Sequence, residues 1–438
     1  MPGAAVAVLA DGELVEAAHG VLSRSTGVAA TTDSVFPICS VTKVWTATLV
    51  MQLVDDGRVD LDAPVRRYLP DFRVADEQAS ARITVRHLLC HTAGFEGDIF
   101  TDTGRGDDAI ETCVRTFTGV PQLFPPGELF SYANSGYVVL GRLVEVLRDK
   151  PYAAALRDHL FAPLGLRHAT TDPSGAIGHR VAAGHVTRDP RVGPEPVPAW
   201  LLASNAPAGS MLAMSAADLL HFVRAHLAGG LAAAGQRLLA PETADQMRQR
   251  YMAHPYRGGV ACTQGLGWQL YDWDGGTVVG HDGDVPGFAA YLRVAPAAGV
   301  AVALLTNGGS SLPVYRSIVG RVLEELAGVR MPPTAVPPPA PGPVADPHRY
   351  TGRYETRLVC YDVTDDEGRL WMSVTPLGMA AQAGMPAERY EIVRLDGDAF
   401  VSAEPAGGPH TTVTFVGTDA GGLARFLHQG RAVPRVAD

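Results

Sequence analysis

Ser40-Val-Thr-Lys43 sets a hydroxyl and an amine three residues apart. Serine is a weak nucleophile at neutral pH and needs a base within hydrogen-bond reach. At a helix start, residues three apart share a face, so Lys43 is predicted to stand beside the Ser40 hydroxyl. Such a start also offers free N–H groups and a positive dipole end, which favour an oxyanion and a neutral lysine. Spacing alone does not select this chemistry. A chain of 438 residues holds roughly one or two such matches by chance, and a helix-capping serine with a surface lysine has the same letters.

Tyr132-Ala-Asn134 follows Pro125-Pro-Gly127 and is predicted to lie on a loop entering a helix. A phenol can relay a proton and an amide can position a substrate carbonyl. A core tyrosine with a capping asparagine is the other reading of this triplet. His281-Asp-Gly283 ends a predicted strand, where glycine lets a ligand approach the backbone, or else it is a plain turn. His87 and His91 have metal-ligand spacing. No glutamate follows His87 and no third ligand is evident, so structural roles are predicted. There is no Gly-x-Ser-x-Gly elbow, Walker loop or dinucleotide loop.

Elements must bring these triplets together. Val6–Leu9 and Leu14–Ala17 around Asp11-Gly12 predict a hairpin. Val44, Thr48, Met51 and Val54 predict an amphipathic helix from Ser40 to Gly57. Further helices are predicted from Thr84, over Asn134–Arg148 and after Ser215-Ala-Ala-Asp218, which resembles a capping box. Thr277–Gly280, Phe288–Val294 and Val300–Leu305 predict a meander, closed by a helix over Val314–Leu326. The predicted class is α+β: an antiparallel sheet drawn from both ends of the domain, flanked by helices, with an all-helical region between. Residues 331–347 form a proline-rich linker between domains predicted at 1–330 and 348–438. The second is predicted to be a small all-β barrel or sandwich, with strands at Arg369–Val374, Thr411–Val416 and Leu423–Leu427.

Composition narrows the function. The formal net charge is -10 and no basic run stands out, which argues against a nucleic-acid partner. Cys39, Cys90, Cys113, Cys262 and Cys360 match no zinc or disulfide framework, so buried free thiols and a reducing compartment are expected. The first residues lack a signal peptide's basic region and long apolar stretch, and no window approaches a membrane span. A cytoplasmic protein is the expectation.

In this order and at these separations, the triplets resemble those of the serine β-lactamase and penicillin-binding-protein superfamily. The nearest pattern is that of class C β-lactamases, D,D-peptidases and their esterase relatives. The likeness also rests on Phe36-Pro-Ile-Cys, on Ile83-Thr-Val-Arg-His-Leu-Leu-Cys-His-Thr-Ala-Gly94, on Pro207-Ala-Gly-Ser210 and on Gly265-Leu-Gly-Trp268. It covers residues 2 to 330, and the tail resembles the lipocalin-like domain appended to some members. The resemblance implies that Ser40 forms an acyl-enzyme, with Lys43 and Tyr132 sharing the proton transfer; the sequence does not say which is the base. It implies that Asn134 holds the substrate amide. The Ser40 N–H and that of Asp284, after Gly283, would form the oxyanion hole.

His281 stands where penicillin-recognising relatives carry lysine. A mostly neutral histidine disfavours efficient β-lactam hydrolysis. Relatives also carry a helix before the Pro-Gly that opens the first strand, whereas here Met1 precedes Pro2 directly; the domain has lost that helix or the chain begins late, which weakens the compartment expectation. Three functions remain open. One is hydrolysis of an ester, thioester or amide. Another is release and macrocyclisation of a nonribosomal peptide from a carrier protein, as in penicillin-binding-protein-type thioesterases. In that case the His91–Gly104 segment lies near the acyl site, and Arg425 or Arg431 meets a substrate carboxylate unless both are ordinary surface arginines. The third is an acyl sensor that does not turn over. None needs a metal or organic cofactor.

Overall fold

The computed structural model describes residues 1–187, 191–197, 202–255, 263–405 and 408–436. Cys262 lies outside the described residues. Strand β1 (Gly3–Ala10) turns into β2 (Glu13–Gly20) through Asp11-Gly12 alone, with Ala10 paired to Glu13. Both turn residues have positive φ, 51° and 78°, the backbone whose twist suits a two-residue hairpin.

The far end of the domain supplies the rest of the sheet. Its strands are β3 (Met252–Ala253), β4 (Thr263–Gln264), β5 (Gln269–Trp273), β6 (Gly276–Val285), β7 (Phe288–Ala295) and β8 (Val300–Thr306). The order is β2-β1-β8-β7-β6-β5-β4-β3, antiparallel throughout. The predicted strand at Thr277 does not stop at Gly280. It runs on to Val285, so His281, Asp282, Gly283 and Asp284 are ladder residues rather than a turn.

Alternation along β1 assigns its two faces. Ala5, Ala7 and Leu9 join the large core with helix α1 (Thr42–Asp55), helix α2 (Asn134–Arg148) and helix α3 (Ala216–Leu227). Ala4, Val6 and Val8 pack on the other face, under the closing helical segment Leu312–Ala327. That segment carries a π-helical stretch at Arg316–Gly320. Helix α1 departs from its amphipathic expectation: every residue from Thr42 to Leu53 is buried. It is the central rod between sheet and helical region, and a helix covered on all sides needs no polar face. Ser215 caps α3 through the Asp218 N–H, but Asp218 does not reciprocate. Its carboxylate accepts from the Arg167 and His168 amides.

No helix or strand occurs between Met331 and Asp346. Beyond Pro347 a second sheet follows: β9 (Gly352–Glu355), β10 (Val359–Asp366), β11 (Arg369–Pro376), β12 (Glu388–Asp396), β13 (Ala399–Ser402), β14 (Thr412–Thr418), β15 (Ala424–His428) and β16 (Ala432–Pro434). Each pairs with the next. A bridge from Tyr354 to Arg435 and a hydrogen bond from Val436 N to Arg353 O bring the last strand back to the first, giving a nearly closed lipocalin-like barrel around Tyr354, Leu370, Phe400 and Phe415. Among the described residues no helix is long and apolar enough to cross a membrane. Cys39, Cys90, Cys113 and Cys360 are buried free thiols.

Candidate active site

Ser40 sits on a single 3-10 turn, Cys39–Val41, that leads into α1. Cys39 before it is fully buried with φ of 50°, a left-handed backbone rare for a side chain of this kind. Gly209 permits it: at φ 127°, a methyl there would lie 2.3 Å from the Cys39 carbonyl oxygen. Gly283 on β6 approaches from the other side, where a methyl would lie 2.4 Å from the Ile38 carbonyl oxygen. The nucleophile turn is thus pressed between two backbones that only glycine allows so close.

Lys43 follows one helical turn on and is completely buried. Its Nζ lies 3.0 Å from Ser40 Oγ, 2.7 Å from Asn134 Oδ1 and 2.5 Å from the Ala208 carbonyl oxygen. Burial, and then the Arg431 guanidinium, hold its pKa well below the ordinary lysine value. A neutral amine has two N–H donors and one lone pair. The Asn134 and Ala208 oxygens can only accept and take both donors, which leaves the lone pair for the Ser40 hydroxyl.

Tyr132 enters on the stretch just before α2. Lys43 Nζ is 4.9 Å from its ring centre. Burial raises the phenol far above its usual pKa, and the Ser40 hydroxyl draws it partly back. The ring stacks on His91 at 4.4 Å. His91 Nδ1 accepts the Ala133 N–H at 3.0 Å, so its imidazole fixes both the ring and the backbone beside it. His87 acts elsewhere, within its own helix. Its Nδ1 accepts the Thr84 N–H while Thr84 Oγ1 accepts the His87 N–H, a reciprocal helix cap. Among the described residues no cluster of histidine, cysteine and carboxylate side chains has a metal-holding arrangement.

His281 faces Tyr132 with ring centres 6.0 Å apart. Its Nδ1 lies 2.6 Å from the Asp282 carbonyl, which can only accept, so Nδ1 carries the proton. Burial, then Lys43, push the imidazole down to about 3. The ring is therefore neutral, and its buried Nε2 is a lone pair without a partner. It can accept from an N–H or O–H but offers no charge to a carboxylate. Asp282 points to the other side of β6, where Arg293, 1% exposed, holds it with two bonds of 2.6 and 3.0 Å.

The structure thus gathers Ser40, Lys43, Tyr132, Asn134, His281 and Gly283, with Asp284 next along the strand. It places the two tail arginines differently. Arg425 pairs with Glu128 at 2.7 Å. Arg431 lies over the Tyr132 ring at 5.1 Å and pairs with Asp98. Asn134, expected to hold a substrate amide, has both ends occupied: Oδ1 by Lys43, and Nδ2 by Asp98 at 2.7 Å. Asp98, His91 and the Ala208 carbonyl escaped sequence reasoning as site groups. The one signal was that Asp98 falls in the His91–Gly104 segment expected beside the acyl site. The barrel walls a cavity of about 250 Å³ next to Tyr132, lined by Asp98, Leu358, Val359, Tyr361, Arg431 and Val433 among others.

The family model described as Beta-lactamase matches residues 1–327. "Penicillin-binding protein 4" of Amycolatopsis lactamdurans is 47% identical over 358 residues, covering 81% of this chain and 93% of that protein. The crystal structure of SurE with D-Leu superposes with a TM-score of 0.77 and 32% identity, over 99% of this chain and 95% of that one. D-amino acid amidase from Ochrobactrum anthropi SV3, complexed with D-phenylalanine, gives a TM-score of 0.63 and 26% identity over 74% of this chain and 94% of that one.

Proposed function

The chain belongs to the beta-lactamase family, whose members are serine hydrolases, and from that premise we infer that it works through an acyl-enzyme on Ser40, formed from an ester, thioester or peptide-type carbonyl. The observation that carries this is the Ser40 hydroxyl 3.0 Å from a sealed lysine whose only free valence faces it. Ser40 Oγ attacks the carbonyl carbon as the Lys43 lone pair takes the hydroxyl proton, which Tyr132 can relay toward the leaving group. The amides of Ser40 and Asp284 receive the oxyanion. The leaving group departs with the proton, and water or an amine then attacks the acyl-enzyme. The SurE structure with D-Leu and the likeness to a D-amino acid amidase support a D-configured residue beside the scissile bond. The neutral His281 argues against efficient β-lactam turnover, since it offers no cation to the ring carboxylate.

A second reading has its own support. The cavity of about 250 Å³ brings apolar barrel residues, Leu358, Val359 and Val433, against Tyr132. A wall that keeps water from the acyl-enzyme favours an amine of the same acyl chain as acceptor. This is the peptide-cyclising thioesterase reaction on a carrier-bound peptidyl thioester.

The test gives the purified chain a p-nitrophenyl ester, a penicillin and a peptidyl thioester, with Ser40→Ala as control. Free acid supports hydrolysis and cyclic peptide supports transfer. Undiminished turnover by Ser40→Ala removes the proposal.

A further inference from the structure

We propose that Arg431 of the barrel and Asp98 are positioning residues for nucleophile activation: through Asp98, Arg431 fixes the Asn134 amide that faces Lys43. This rests on Ser40 being the nucleophile.

The barrel delivers Arg431 by its backbone. The turn between β15 and β16 lies along residues 130–132, the stretch that carries Tyr132. His428 Nε2 donates to the Phe130 carbonyl at 2.9 Å, Tyr132 N–H donates to the Gly430 carbonyl at 3.0 Å, and Ala432 N–H donates to Ser131 Oγ at 3.1 Å. Three bonds in five residues leave the Arg431 side chain little choice of direction. Its Nε and Nη2 then reach the two oxygens of Asp98.

Asp98 in turn decides which way Asn134 faces. An ionised carboxylate only accepts, so the Asn134 end nearest it must be the NH₂ group. The amide oxygen is thereby turned to Lys43. If the amide rotated by half a turn, an N–H donor would meet the lysine amine, and the lone pair now aimed at Ser40 would be drawn to it. Arg431 holds the Asp98 carboxylate in place, so a guanidinium near the end of the chain orients a lone pair near its start.

The same groups act on charge. Lys43 is faced by the Cys39 thiol, by His91, Tyr132, Tyr137, Asp98 and His281, and by Arg431. The guanidinium opposes protonation of both Lys43 and Tyr132, and the carboxylate favours it for both. Opposite effects from two partners in one ion pair give the proposal a signature that loss of packing does not share.

The test uses the full chain with a p-nitrophenyl ester, recording kcat and KM from pH 5 to 9 for Arg431→Gln, Arg431→Lys and Asp98→Asn. The expected result is an acid limb of kcat moved up by roughly half to one pH unit in Arg431→Gln and moved down in Asp98→Asn, with Arg431→Lys between Arg431→Gln and the parent. Asp98→Asn also lowers the plateau of kcat, with KM little changed. Limbs that coincide with the parent's, or that move the same way in both variants, overturn the proposal. Ser40→Ala run alongside separates the two claims: if it abolishes turnover while the limbs stay fixed, the nucleophile stands and the barrel's role falls. Thermal unfolding of each variant checks that a moved limb belongs to a folded protein.

Discussion

A methyl built on Gly283 would come within 3.0 Å of the backbone nitrogen of Ser40. Strand β6 therefore lies flat against the amide that would receive the oxyanion. Gly283→Ala must push the strand off Ser40 N–H or tilt that N–H away. The expected outcome is a kcat loss of about 10²- to 10³-fold, the scale of a lost oxyanion donor. Thermal stability falls by about 1–3 kcal/mol, the cost of a local overpacking. Steady-state kinetics beside thermal unfolding checks this, and unaltered kcat would place the oxyanion elsewhere.

Asp284 follows Gly283 on β6, and alternation turns its carboxyl to the face that Asp282 shares, away from Ser40. Burial first, and the neighbouring Asp282 next, raise it to about 6. The folded form therefore keeps a proton there that the unfolded chain releases, and stability from this group is lost as pH rises through about 6. Asp284→Asn should raise the thermal unfolding midpoint at pH 8, where the parent must bury the charge, and change it little near pH 4. Unfolding midpoints at the two pH values decide, and a shift of the same size at both would assign the effect to something other than this charge.

Four histidines set the acid limit of the fold. Burial holds His226 and His281 at about 3, and His254 and His428 at about 4, each below the ordinary 6.5. The folded form resists a proton that the unfolded chain accepts. Their contribution is therefore complete above about pH 6.5 and lost as pH falls toward 4. The expected slope is up to about 1.4 kcal/mol per pH unit for each. Unfolding midpoints from pH 7 to 4 should drop steeply, with protons taken up on unfolding. A flat profile would mean that the unfolded chain keeps these imidazoles neutral.

Much of this architecture is legible along the chain. Asp11-Gly12 between two apolar runs specifies its hairpin, because positive φ at two successive residues suits few other pairs. Ser40 and Lys43 are local partners, so helical geometry alone predicts their meeting. What escapes is set by long-range packing. Periodicity at Val44, Thr48, Met51 and Val54 gives α1 one apolar face, whereas the sheet and the helices cover it all round. His91 and Asp98 carry no local sign of their roles. Each acquires one only when Tyr132 is laid on the first and the barrel turn, more than 300 residues along, brings Arg431 to the second. The barrel strands are legible from alternation, but not which strand connection faces Tyr132.

The pairing of β1 with β8 joins Leu9 to Ala301 and so links the chain's beginning to residues near its three-hundredth. On a ribosome adding ~5–20 residues per second, the opening hairpin waits roughly 15–60 s for its partner strand to be made. During that wait β1 is an uncovered edge able to pair with another nascent chain. Production of this protein should therefore respond to chaperone supply and translation speed more than to the stability of the finished molecule.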